Sequence, residues 1–108
     1  MNVLHLDSNH PLLTEQLVAL GHTNHEDFSS SKEAIESKIH IYDGLIIRSR
    51  FRIDAAFLDK AINLKFIGRV GAGLENIDTE YAQTKGIQLI AAPEGNQNIL
   101  GQILAILN

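Results

Sequence analysis

The stretch from Lys65 to Asp78 constrains the fold more than any other part of the chain. Its first part, Phe66–Val70, is a short apolar run of the kind that forms a buried parallel strand. The run ends in Gly71-Ala72-Gly73, a turn whose glycines let the backbone approach a ligand closely. Asp78 then stands where the N-cap of a helix is expected. This order of strand, glycine turn and helix start predicts the anion-binding corner of an α/β protein.

Strands and helices alternate along the rest of the chain. The predicted strands are Asn2–Leu6, a polar edge strand within His22–Phe28, Leu45–Ile47, Phe66–Val70 and Ile87–Ala91. Because one helical segment separates each pair of strands, the pattern predicts a parallel sheet with helices on both faces. Five strands in 108 residues predict a flavodoxin-like, doubly wound α/β domain with strand order 2-1-3-4-5.

The helical segments also predict which side chains are buried. Apolar residues recur at helical spacing at Leu12, Leu13, Leu17, Val18 and Leu20, and Gly21 ends that helix. A serine cap before Lys32 predicts a second helix that reaches about His40. The third helix opens at Ile53-Asp54, and we expect it to bury Ala55, Phe57, Leu58, Ala61 and Ile62. A final helix from Gln97 carries one apolar face: Ile99, Leu100, Ile103, Leu104, Ile106 and Leu107.

Composition excludes several classes of function. The formal net charge is −4 with acids and bases interspersed, unlike a general nucleic-acid-binding protein. The chain has no cysteine, which excludes disulfides and thiolate metal sites and is usual in the cytoplasm. The sequence has neither an apolar run long enough to span a membrane nor a basic signal-peptide start. We therefore expect a cytoplasmic protein without nucleic-acid or membrane partners.

The polar segment from His22 to Asp27 contains four residues of metal-ligating type. Because no helix fixes their spacing, the segment indicates a solvated edge rather than a metal site. The sequence also shows no nucleophile–base pair from which a catalytic site could be inferred. We therefore expect neither a bound metal nor a catalytic residue.

Two arginines stand at the ends of neighbouring predicted strands. Arg48 follows Leu45–Ile47, and Arg69 follows the apolar start of Phe66–Val70. Ligands of open α/β sheets bind outside the carboxyl ends of the strands, and a guanidinium matches the geometry of a carboxylate or phosphate. The sequence therefore predicts a pocket for a small polyanion at this edge.

Other groups at the same corner can add donors to such a pocket. The Ser49 hydroxyl is one, and the backbone N–H groups of Gly71, Ala72, Gly73 and Leu74 are others. The alternative is that both arginines are ordinary strand-end residues paired with acids such as Asp7 or Glu75. We expect Arg50 and Arg52 to lie on the solvated loop after the third strand, where either of them could also line the rim of the pocket.

A dinucleotide is a second possible ligand for the glycine turn. Gly71 and Gly73 follow a strand, and Glu94 stands about 20 residues on, where a ribose-binding acid is expected. However, Asn76 replaces the third glycine of the fingerprint. The helix predicted over Asp78–Lys85 is also too short, and it begins too far after the glycines to direct its N-terminus at a pyrophosphate. The pattern therefore favours another anion.

Four blocks of sequence occur together in a characteristic order: Gly44–Ser49, Leu64–Asp78, Lys85–Ile87 and Ala92–Asn96. At these spacings the chain resembles the N-terminal, substrate-binding part of the D-isomer-specific 2-hydroxyacid dehydrogenases. Within that family it most resembles the members that oxidise 3-phosphoglycerate with NAD, the first step of phosphorylated serine synthesis. The resemblance extends to about Gly101.

The resemblance implies roles for individual residues. The family's equivalent of Arg48 contacts the substrate phosphate, and the equivalents of Gly71 to Leu74 hold its carboxylate, with Arg69 close by. The equivalent of Asn96 lies at the cleft facing the nucleotide domain. The substrate-binding residues implied in this way, together with the neighbouring hydroxyl, are Arg48, Ser49, Arg69, Gly71, Ala72, Gly73, Leu74 and Asn96.

In this family a Rossmann domain binds NAD and supplies the catalytic arginine, glutamate and histidine. These motifs do not occur in the 108 residues. We therefore expect residues 1–108 to form one truncated substrate-binding domain, without cofactor, that binds a phosphorylated 2-hydroxy acid weakly and is inactive alone. A monomer is expected, because the family's main dimer contact belongs largely to the nucleotide domain. The alternatives are an inert flavodoxin-like scaffold or engineered fragment, and a flavodoxin-like binding or receiver module that uses Asp7.

Overall fold

The computed structural model describes residues 1–7, 11–71, 73–92, 101–103 and 105. Its strands are β1 (Asn2–His5), β2 (Thr23–Glu26), β3 (Gly44–Ile47), β4 (Phe66–Val70) and β5 (Gln88–Ala92). Its helices are α1 (Pro11–Ala19), α2 (Lys32–Glu36), α3 (Ala55–Lys60) and α4 (Thr79–Thr84), with a short 3₁₀ helix over Ile39–Ile41. Residues 101–103 and 105 are also helical.

The strands form one parallel sheet in the order β2-β1-β3-β4-β5, which confirms the predicted fold. All four residues of β3 are buried, as expected for a central apolar strand. In contrast, β2 is the polar edge strand that the sequence predicted. The strand order reverses between β1 and β3, because the chain runs from β1 outwards to β2 and returns on the other side. The segments after β1, β3 and β4 therefore meet at one edge of the sheet.

Helices cover both faces of this sheet. On one face, side chains of α2, α3 and α4 join the larger apolar cluster, which includes Ile35, Phe57, Leu58 and Ala82. On the other face, Leu17 of α1 and Ile103 pack with strand residues, which are Val3, Ile46, Phe66 and Ile90. The apolar sides of the strands are therefore buried from both directions, as the doubly wound topology requires.

Three helices begin at the positions that the sequence predicted, and each has a side-chain cap. The side chains of Ser31, Asp54 and Asp78 each accept a hydrogen bond from the backbone N–H three residues later, at 3.2, 3.0 and 3.2 Å. Each bond satisfies one of the N–H groups that the start of a helix leaves without an intrahelical partner. The Asp78 cap fixes the end of the glycine-turn segment.

The second helix is shorter than predicted. It ends at Glu36 rather than near His40, and Ile39–Ile41 forms a separate 3₁₀ helix. At the break, the Ser37 hydroxyl donates to the Ala34 carbonyl at 2.6 Å, and the Lys38 N–H bonds to the Ile35 carbonyl three residues back. A serine that satisfies a helix-end carbonyl in this way favours termination over continuation.

Some predicted burial is wrong. Ile62 is 71% exposed because α3 ends at Lys60 and Ile62 lies in the following turn. Val18 and Leu20 are also exposed, whereas Leu17 of the same segment is fully buried. In the last helix Ile103 is buried, and the rest of its predicted apolar face lies outside the described residues. In the part of the chain that the structure describes, none of the helices has the length and apolar character needed to cross a membrane.

Candidate anion-binding site

The two candidate arginines lie at the carboxyl ends of adjacent central strands. Arg48 directly follows β3, and Arg69 lies in β4 in register with Ile47. Both residues are half-buried, whereas Ser49 and Gly73 are exposed. Leu74 is partly buried and packs against the larger apolar cluster. Two further candidates, Ala72 and Asn96, lie outside the described residues.

Asn76 connects the two arginine-bearing segments. Its side-chain oxygen accepts a hydrogen bond from Arg69 Nε at 2.8 Å, and its Nδ2 donates to the Arg48 carbonyl at 3.4 Å. One amide therefore orients the Arg69 guanidinium and ties the turn after β4 to the end of β3. The sequence showed Asn76 only as the residue that replaces a fingerprint glycine. The sequence feature that could have indicated its role is an amide side chain that follows a strand-end arginine at a short distance along the chain.

Gly71 leaves room for the guanidinium of Arg69. Its φ is +142°, and a Cβ placed on it would lie 2.5 Å from Arg69 Nη1. A residue with a side chain would therefore adopt an unfavourable backbone conformation and collide with the guanidinium. This glycine lets a positive charge lie directly against the turn.

Gly73 leaves room for a group of opposite charge. Its φ is +81°, and a Cβ placed on it would lie 2.1 Å from Glu75 Oε2 and 3.0 Å from Oε1. The Glu75 carboxylate therefore lies over Gly73, much as the Arg69 guanidinium lies over Gly71. The turn thus carries a cation and an anion side by side.

The crevice where the strand order reverses is closed by Asp7. Its Oδ2 accepts hydrogen bonds from the backbone N–H groups of Arg48, Ser49 and Arg50, at 2.7, 3.2 and 3.3 Å. An internal carboxylate thus fills the nest of N–H groups after β3, where an external anion would otherwise be favoured. This engagement argues against Asp7 as the acceptor of a receiver module.

Arg50 contradicts the expectation of a solvated loop. Its side chain is only 13% exposed and reaches Asp27, at 4.0 Å between Nη2 and Oδ1. The guanidinium also donates to three backbone carbonyls, those of Leu6, Asp27 and Ser30. Arg50 therefore joins the segments after β1, β2 and β3. Arg52 remains exposed, as expected, and donates to the Glu75 carbonyl at 3.1 Å.

Asp27 links Arg50 to further hydrogen-bonding side chains. Lys38 Nζ lies 2.6 Å from its Oδ2, and the Ser30 hydroxyl and backbone N–H also donate to its carboxylate. The hydrogen bond from Lys38, followed by those from Ser30, holds the pKa of Asp27 well below its usual range. Its carboxylate is consequently ionised beside Arg50, and both groups have structural partners.

His5 is the buried polar side chain of β1. Its Nε2 donates to Asn24 Oδ1 at 2.8 Å, on neighbouring β2. Burial lowers the pKa of His5 from its ordinary value of 6.5, although the Asn24 hydrogen bond and the nearby Glu26 charge act in the opposite direction. A buried, neutral histidine bonded to an amide is a packing residue. The described residues contain no group of three or more side chains that could hold a metal ion.

Comparison with known proteins decides the family. The catalytic-domain profile of the D-isomer specific 2-hydroxyacid dehydrogenases matches residues 3–100. The chain belongs to this family. The match covers all of the sheet except Asn2 and the entire glycine-turn segment, so the resemblance seen in the sequence blocks is confirmed.

Relatives of this dehydrogenase family support the assignment. A D-3-phosphoglycerate dehydrogenase of Sus scrofa is 35% identical over 94 residues, which is 87% of this chain and 18% of that protein. The enzyme of the same name from Archaeoglobus fulgidus is 39% identical over 66 residues, or 61% of this chain and 12% of that protein. The chain thus spans less than a fifth of these relatives.

The fold agrees with a solved dehydrogenase of the same kind. The NAD+-bound 3-phosphoglycerate dehydrogenase of Entamoeba histolytica superposes with a TM-score of 0.76 at 26% identity. The superposition covers 84% of this chain and 32% of that one.

The described residues of the glycine turn do not fit the NAD that this relative holds. The helix after the turn, α4, has six residues and begins six positions after Gly73, whereas a pyrophosphate site needs a helix that starts directly at the glycine turn. Arg69 and Glu75 also cover the two glycines against which a pyrophosphate would lie. The dinucleotide interpretation of this corner is therefore disfavoured.

Proposed function

We propose that this chain is the substrate-binding domain of a D-3-phosphoglycerate-dehydrogenase-type enzyme. In this proposal it binds a phosphorylated 2-hydroxy acid such as 3-phosphoglycerate. The observation that carries the proposal is the pair Arg48 and Arg69 on adjacent strand ends, joined through Asn76. Membership of the 2-hydroxyacid dehydrogenase family supports the choice of ligand class.

The proposed roles divide the ligand into two ends. Arg48 and the Ser49 hydroxyl hold the phosphate, since a guanidinium fork matches its oxygens. Arg69 and the backbone N–H groups of Gly71 to Leu74 hold the carboxylate. Asn96 lines the other side of the cleft in this proposal.

Affinity should be weak for the chain alone. Gly73 and Ser49 are exposed and the two arginines are only half-buried, so water and salt screen the attraction between site and anion. We propose that residues 1–108 form one domain that is monomeric and cytoplasmic.

We also propose that this domain does not catalyse hydride transfer alone. The reaction requires a nicotinamide and a general base close to the substrate. The described histidines of the sheet, His5 and His25, bond to Asn24 and Tyr42 near the opposite edge strand, away from β4. In this proposal NAD and the base belong to the rest of a longer enzyme.

Titration with 3-phosphoglycerate, followed by two-dimensional NMR of the ¹⁵N-labelled chain, tests the proposal. We expect saturable shifts at millimolar ligand, confined to the backbone around Arg48 and from Gly71 to Leu74. Glycerol, which lacks both charged groups, is the control and should produce no such shifts. If 3-phosphoglycerate moves nothing in these segments, the binding proposal is wrong and the inert scaffold is favoured.

A further inference from the structure

Glu75 is an acid placed inside a site that should attract anions. A Cβ on Gly73 would lie 2.1, 2.8 and 3.0 Å from the three atoms of the Glu75 carboxyl group. The carboxylate therefore fills the space that the missing side chain of Gly73 leaves open. In the proposed function this is one of the surfaces on which the ligand carboxylate would lie.

Hydrogen bonds hold the backbone of Glu75, whereas the residue as a whole is exposed. Arg52 Nη1 donates to its carbonyl at 3.1 Å, and the next residue, Asn76, bonds to Arg69. Among the described residues, the Glu75 carboxylate takes part in no ion pair. It thus lies on the turn as a negative charge without an ion-pair partner among the described residues, on an exposed residue whose rotamer can change.

An approaching carboxylate would meet two opposite influences at this turn. The Arg69 guanidinium over Gly71 attracts it, and the Glu75 carboxylate over Gly73 repels it and occupies part of its space. We infer that Glu75 determines affinity at this site, because its carboxylate competes with the carboxylate of the ligand for the surface of Gly73. The inference rests on the proposed function and adds to it an internal competitor that must move aside when the ligand binds.

Glu75→Gln tests this inference, because it removes the charge and keeps the size of the side chain. Two like charges about 5 Å apart at a solvated surface repel each other, so the affinity for 3-phosphoglycerate should rise about three- to tenfold at low salt. The gain should shrink in about 0.5 M salt, where charges at this distance are screened. Glu15→Gln in α1 makes the same change in net charge on an exposed residue outside the site and should alter affinity less than about twofold.

A second variant distinguishes the loss of charge repulsion from the gain of a new hydrogen bond to the ligand. A glutamine amide can donate to the ligand, whereas Glu75→Ala removes the carboxylate and adds no donor. Both variants should therefore bind more tightly than the original chain, and their unfolding midpoints should be unchanged within about 2 °C.

The outcomes distinguish this inference from the proposal on which it rests. If the original chain binds and either Glu75 variant binds equally or less tightly, Glu75 is not a competitor and the proposed function stands. If none of the proteins binds 3-phosphoglycerate at millimolar concentration, both ideas are overturned. A gain in both Glu75 variants without a gain in Glu15→Gln supports the inference.

Discussion

Replacing Arg50 with methionine should destabilise the domain severely, although Arg50 lies in a run of similar arginines. The side chain is 13% exposed and binds the carbonyls that follow β1 and β2, with the Leu6 oxygen 3.0 Å from Nη1. Methionine keeps much of the volume and removes every donor. The carbonyls of Leu6, Asp27 and Ser30 then lose their partner in a largely buried place.

The magnitude follows from these contacts. A hydrogen bond from a charged donor contributes about 1.5 to 3 kcal/mol, but the terms do not add in full because water can reach part of the gap. Lys38 still neutralises Asp27 at 2.6 Å, so the variant does not leave that carboxylate alone. We therefore expect Arg50→Met to lower the free energy of unfolding by about 3 to 5 kcal/mol, out of a total of about 5 to 15 kcal/mol.

Urea denaturation monitored by circular dichroism measures this loss. With a slope between about 1 and 3 kcal/mol per molar urea, the midpoint should fall by about 2 M. Arg52→Met is the matched control, because Arg52 is two positions away, is exposed and, among the described residues, donates one hydrogen bond, to the Glu75 carbonyl. It should cost less than about 1 kcal/mol. Equal losses of unfolding free energy in the two variants would refute the conclusion that Arg50 stabilises the fold by joining these segments.

Three further predictions concern packing, orientation and pH. Gly44→Ala should lower the free energy of unfolding by about 1 to 3 kcal/mol, because the added Cβ would lie 2.3 Å from the buried Phe66 ring; an unchanged urea midpoint would contradict this. Asn76→Ala should weaken 3-phosphoglycerate binding about three- to tenfold in an NMR titration, since Arg69 loses its hydrogen-bond partner; unaltered affinity would exclude this orienting role. Because folding lowers the pKa of His5 from 6.5, His5 takes up a proton at a higher pH in the unfolded chain than in the folded domain. The free energy of unfolding that is present above pH 6.5 is therefore lost as the pH falls below it. His5→Gln should therefore flatten the decline of the urea midpoint between about pH 7 and pH 5, and parallel profiles for the two proteins would argue against it.

The sheet was predictable because its signals are local. Ile46 lies in a wholly apolar run and Ile67 in a mainly apolar one, which indicates that β3 and β4 are central strands. One helix between successive strands then limits the topology to a parallel, doubly wound sheet. The helix starts were predictable for the same reason, since Ser31, Asp54 and Asp78 act on N–H groups only three residues away.

The contents of the candidate site were harder to predict because they depend on contacts that are distant in sequence. Arg48, Arg50 and Arg52 alternate in one short segment, and the sequence gives no local reason for one of them to be buried. The partners of Arg50 come from Leu6, 44 residues earlier, and from the loop around Asp27, 23 residues earlier. Likewise, the bond between Asn76 and Arg69 closes a turn that contains two glycines with positive φ angles. The strand ends indicated the edge at which we propose that a ligand binds, and tertiary contacts decide which side chains lie at that edge.

Affinity for 3-phosphoglycerate in two charge-matched double variants is the most direct test of the proposed site. Arg48→Gln with Arg69→Gln removes the two strand-end cations, whereas Lys60→Gln with Lys65→Gln removes two exposed cations from the end of α3 and the opposite end of β4. Isothermal titration at low salt should show that the arginine variant loses at least about tenfold in affinity, while the lysine variant stays within about twofold of the original chain. Equal losses of affinity in the two variants would mean that positive charge anywhere on the surface, rather than a specific binding site, attracts the anion. That result would contradict the account.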